Sequence, residues 1–115
     1  MKTTFFLVLF SFLIILPGCQ SKPGPTERIA VVMKKYTIQP SEIRVKSGET
    51  VELDVSTADV QHGLSIPDLG IKEAVQPGKP ATVRFTAPAK GEYRVACGII
   101  CGPHHDDMTA KLIVE

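Results

Sequence analysis

No excess of charge marks this sequence. Its 13 lysines and arginines face 12 aspartates and glutamates. A near-neutral chain carries no electrostatic footprint for nucleic acid and no polybasic patch for a membrane surface. Long apolar runs are also missing. The one run, FFLVLFSFLIIL at residues 5–16, has 12 residues, short of the ~20 that a membrane-spanning helix needs. No nucleophile stands with its base, no carboxylates pair, and no glycine loop suits a phosphate. The chain is therefore not expected to be an enzyme in its own right. No helical period persists over three turns, and neither an internal repeat nor a second domain is visible. Tryptophan is absent, and there are only three cysteines and three histidines. That scarcity makes their placement informative. Two of each, with a methionine, fall in one stretch of twelve residues, CGIICGPHHDDM at 97–108.

The N-terminus reads as a targeting segment. A positive start at Lys2, the apolar run and a small residue before a cut site describe a secretory signal over residues 1–18. The stretch Leu16-Pro17-Gly18-Cys19 resembles a bacterial lipoprotein lipobox, which implies a lipidated Cys19. Residues 20–27, QSKPGPTE, are polar and rich in Pro and Gly, so 19–27 is expected to be lipidated cysteine and tether. The remaining domain, 28–115, has the size of one small hydrophobic core. The expected location is the bacterial cell envelope, anchored through lipid and facing the periplasm or the exterior. Cysteines there tend to pair, so a disulfide is the plain alternative for Cys97 and Cys101.

From Ile29 onward the pattern is β. Strands are expected at 29–35, 42–46, 50–56, 64–66, 81–86, 91–96 and 110–114. Turns at Ser47-Gly48-Glu49, Gln76-Pro77-Gly78-Lys79 and Pro88-Ala89-Lys90-Gly91 punctuate them. Val51, Leu53 and Val55 alternate with Glu52 and Asp54, and Val83 and Phe85 flank Arg84. The expected class is all-β: a Greek-key sandwich of about seven strands, whose distant loops meet at one end. Met33 reads as core, and Tyr36 and Tyr93 as packing aromatics.

The cluster at 97–108 suits a soft metal. Thiolate and thioether favour Cu(I), imidazole favours copper or zinc, and hard oxygen-seeking cations fit poorly. Cys97 and Cys101 are four apart, Cys101 and His105 four, His105 and Met108 three. Gly98, Gly102 and Pro103 make the stretch a shaped loop. His62 would close the site from a separate part of the chain.

This spacing, with the earlier Asp59-Val60-Gln61-His62, resembles the dinuclear copper A domain of cytochrome c oxidase subunit II. The likeness runs over residues 47–108, through TADVQH, IPDLGIK, PGK and GEYRVAC. It implies a cupredoxin β-sandwich and two copper ions bridged by the Cys97 and Cys101 thiolates. It also implies His62 and His105 as one ligand to each ion, with Met108 and the backbone carbonyl of Ile99 as weaker ligands. His104 is then an extra histidine beside the matching one. The chain departs from the family in having Gly63-Leu64-Ser65 where an aromatic pair usually follows the first histidine. Ile99 stands where the family carries an acidic or amide residue. A stand-alone domain is therefore expected.

The implied function is electron transfer between extracytoplasmic partners. Its partner would be a transient redox protein, a cytochrome c or an oxidase-like protein, and the domain itself a monomer. The expected docking rim is Gly63, Leu64, Gly102 and Pro103, around the His105 edge; redox encounters use small interfaces. Asp106 and Asp107 read as solvated loop residues that could steer a basic partner. Two other functions use the same residues. One is copper storage or delivery. The other is a mononuclear blue-copper carrier built on His62, Cys101, His105 and Met108, with Cys97 left over.

Overall fold

Period-two alternation decides which residues enter the core. In the strand Thr50–Thr57, Val51, Leu53 and Val55 are fully buried while Asp54 is exposed. Such strands must cover one face with another layer, and here two antiparallel-rich sheets do so. The computed structural model describes Ile14, Gly18 and residues 26–115. Most of the segment expected to be signal, lipidated Cys19 and tether lies outside those residues. No helix among the described residues is long and apolar enough to cross a membrane.

The described chain forms nine strands: β1 Thr26–Lys34, β2 Thr37–Gln39, β3 Glu42–Val45, β4 Thr50–Thr57, β5 His62–Ile66, β6 Ile71–Val75, β7 Ala81–Thr86, β8 Gly91–Cys97 and β9 Thr109–Val114. One sheet has the order β2-β1-β4-β7 and the other β3-β9-β8-β5-β6. β1 lies parallel to β4, and β3 parallel to β9. These pairings require the chain to cross between sheets, as an all-β sandwich predicts. Met33, Ile38, Ile43, Leu53, Leu64, Ile66 and Leu112 fill the space between the layers.

Two strands exceed the seven expected. β2 has three residues and stops at Gln39 before Pro40, too short for a visible alternation. β6 exposes Lys72, Glu73 and Ala74 and buries only Val75, because it is the edge of its sheet. β1 starts at Thr26, inside the stretch read as tether. Its first residues pair with β4 through Thr26–Thr50 and Glu27–Val51.

The topology gathers chemistry at one pole. β4 ends at Thr57, β5 begins with His62, β8 ends with Cys97 and β9 begins just after Met108. The register sets Leu64 opposite Cys97 and Ala96 opposite Thr109. Strands thus fix two of the soft side chains, His62 and Cys97, and the segment 98–108 supplies the rest.

Candidate metal centre

His62 is fully buried at the first position of β5. Its Nε2–H donates to Asp59 Oδ1 at 2.8 Å. The proton on Nε2 leaves the Nδ1 lone pair free, and Nδ1 lies 3.8 Å from Cys97 Sγ. Fixing the tautomer through the second nitrogen is how ligating histidines are commonly oriented. Asp59 is itself held: Oδ2 accepts from the Lys35 backbone N–H and Oδ1 from that of Val60, each at 2.6 Å. Burial pushes the Asp59 carboxyl up, but these two N–H donors and His62 outweigh it and hold the pKa at about 2. A lowered carboxylate pKa contributes stability fully above its ordinary value of 3.8, lost only as pH falls toward about 2.

Cys97 stands at the end of β8, 6% exposed. Its Sγ–H donates to the Ile99 carbonyl at 3.1 Å, and its sulfur lies 3.8 Å from Cys101 Sγ. Both cysteines are free thiols. That separation is far beyond the ~2.05 Å of a disulfide bond. Cys101 Sγ lies 3.7 Å from His105 Nδ1 and 3.7 Å from Met108 Sδ. Burial, then the neighbouring Cys97 thiol, pushes the Cys101 thiol above its ordinary 9.0. Metal binding at neutral pH would therefore have to expel its proton.

A single 3-10 turn, His105–Asp107, brings the last donors round. The His105 N–H donates to the Gly102 carbonyl and the Met108 N–H to that of His105, each at 3.2 Å. Met108 is fully buried. All six expected donors thus form one chain of contacts: His62, Cys97, Cys101 and His105 in sequence, Ile99 O on Cys97, Met108 on Cys101. His62, Cys97 and Cys101 also form a compact triad within 4.8 Å. Soft sulfur in the middle and imidazole at each end is a donor set that fits copper.

Other residues fall out differently. His104 is exposed, with Nδ1 3.3 Å from Asp107 Oδ2, and takes no place in that chain of contacts. Its ring meets Tyr36 edge-on at a centroid distance of 5.3 Å. Tyr36 in turn lies against Gly102, where a Cβ would come within 2.5 Å of its Oη. Of the four expected rim residues, Gly102 and Pro103 reach the surface. Gly63 and Leu64 do not: β5 buries both, Leu64 completely, because its register sets it against Cys97. The apolar tip is instead Ile100, 85% exposed. Sequence reasoning left Asp59 without a role; its place three residues before a candidate ligand histidine was the available signal.

A family model described as a cupredoxin-like domain matches residues 5–114. Cytochrome c oxidase subunit 2 of Thermus thermophilus is 32% identical over 93 residues, covering 80% of this chain and 69% of that protein. Across four such subunit 2 relatives, this chain spans between 20% and 69% of their length. The periplasmic domain of oxidase subunit II from Bradyrhizobium japonicum superposes with a TM-score of 0.71 at 22% identity, covering 77% of this chain and 83% of that one. Auracyanin A, a blue copper protein of Chloroflexus aurantiacus, superposes with a TM-score of 0.67 at 20% identity, covering 79% and 100%. At such identities the two superpositions establish the fold alone.

Proposed function

This chain belongs to the cupredoxin-like domain family, and on that premise we propose that it is an electron-transfer protein holding two copper ions. The observation that carries the reading is the open Cys97–Cys101 pair, with its sulfurs 3.8 Å apart and one imidazole Nδ1 beside each. Two thiolates between two imidazoles suit a pair of ions better than one. When bound, such a copper pair would supply a site for one electron shared over both metals.

The residues divide the remaining work. Cys97 and Cys101 would bridge the ions. His62, oriented by Asp59, and His105 would each complete one ion, and Met108 and the Ile99 carbonyl would add weaker donation. Burial of His62, Cys97 and Met108 excludes water on one side, while Cys101 and His105 stay half-exposed. The half-exposed side is where a transient redox partner would dock, against Gly102, Pro103 and Ile100. That partner would be a cytochrome c or an oxidase-like protein, and this chain would serve as a carrier without catalysing bond chemistry. We place it in the cell envelope, held by lipid on Cys19.

A redox titration of the copper-loaded chain tests the reading. One electron is expected for every two coppers, reversibly. One electron per copper would indicate a mononuclear carrier, and copper that resists reoxidation would indicate storage or delivery.

A further inference from the structure

The turn that carries Ile99 to the metal centre sits on a residue without a side chain. Gly63 is buried within β5, between His62 and Leu64. It is not among the glycines with positive φ, so its backbone conformation does not demand glycine. Glycine inside a strand weakens it and often marks the close approach of another segment. Here the approaching residue is Ile99. A Cβ on Gly63 would lie 2.7 Å from Ile99 Cγ1, 3.0 Å from its Cδ1 and 3.3 Å from its backbone nitrogen. The Gly63 carbonyl also accepts the Gly98 N–H at 2.7 Å. One residue therefore grips the turn twice: its carbonyl holds Gly98 and its bare Cα makes room for the Ile99 side chain. Ile99 is consequently half-buried while Ile100 next to it is 85% exposed. With the side chain seated, the Ile99 carbonyl comes within 3.1 Å of Cys97 Sγ.

We propose that Gly63 is a positioning residue: the seat it makes for the Ile99 side chain holds the Ile99 carbonyl at the Cys97 sulfur and seals the His62 side of the centre. The effect on copper rests on the copper reading above. The seat itself is a property of the polypeptide and exists without metal.

Gly63→Val adds three carbons where Ile99→Ala removes three, so the double variant conserves volume, the class of core change tolerated best. The first measurement is amide hydrogen exchange at Gly98 in the full, metal-free chain. Gly63→Val is expected to speed that exchange about tenfold, as an overpacked and locally loosened turn would, and the double variant to restore the parental rate. The second measurement is the hyperfine splitting and reduction potential of the copper-loaded chain. Both are expected to move in Gly63→Val and to return in the double variant, with copper per chain unchanged. Gly63→Ala, the milder overpacking, should give the same order with smaller shifts and serves if the valine variant does not fold. Unchanged Gly98 exchange in both single variants, or a double variant that restores nothing, overturns the seat. An unmoved spectrum and potential in a Gly63 variant whose exchange is altered overturns the positioning role. Altered and restored exchange in a chain that never holds a copper pair leaves the seat standing and sinks the copper reading instead.

Discussion

Replacing Cys97 with serine is expected to cut bound copper from two ions per chain to one. The sulfur at this position stands between His62 Nδ1 at 3.8 Å and Cys101 Sγ at 3.8 Å, and its Sγ–H donates to the Ile99 carbonyl at 3.1 Å. Without it, only Cys101 remains as a thiolate, so one sulfur would have to bridge both ions unaided. The side-chain donors left are His62, Cys101, His105 and Met108. Two imidazoles, one thiolate and a thioether are the set that holds a single blue-copper ion. Serine is close in size to cysteine, so the Leu64–Cys97 register should survive. The variant should therefore fold, turn from a paired to a mononuclear spectrum and bind one copper. Copper counted beside thermal melting checks this. A folded Cys97→Ser chain that still holds two coppers would mean that Cys97 is not a bridge.

Asp59→Ala should weaken copper binding ~10–100-fold, the usual cost of losing the group that orients a ligating histidine. Asp59 Oδ1 is the acceptor for His62 Nε2–H, and His62 is fully buried. Removing the carboxylate leaves a buried N–H without a partner, which costs ~1–3 kcal/mol in the folded state. It also frees the imidazole to take the other tautomer and point its proton at the metal side. The backbone of Lys35 and Val60 loses the same acceptor, so the loop before β5 should loosen. Copper per chain at saturation should stay at two, because no proposed ligand is removed. Competition with a copper chelator measures the affinity. Equal affinity in the variant and the parent would mean that Asp59 shapes the loop but not the ligand.

Much of the candidate centre was legible because its residues are close in sequence. Cys97, Cys101, His105 and Met108 span twelve positions, and a tight loop followed by one 3-10 turn is enough to bring them together. His62 is distant, yet its contact with Cys97 follows from strand order, since β5 and β8 are neighbours. What escaped depends on contacts that leave little trace in local pattern. Asp59 stands only three residues before His62, but its carboxylate is held in place by the Lys35 N–H, 24 residues away, which the local pattern does not show. Leu64 looked like surface beside a ligand, but the register of β5 against β8 turns it into core. β6 reads as loop because an edge strand tolerates Lys72 and Glu73, and only pairing with β5 makes it a strand. Gly63 reads as a family departure until the Ile99 side chain is seen to occupy the space above it.

On the proposed reading, one electron would be shared by two coppers held by Cys97 and Cys101. Electron paramagnetic resonance of the copper-loaded chain, with copper per chain counted on the same sample, tests it most directly. Equal sharing over two copper nuclei predicts a seven-line hyperfine pattern at two coppers per chain. A four-line pattern at one copper per chain would rule out a shared pair.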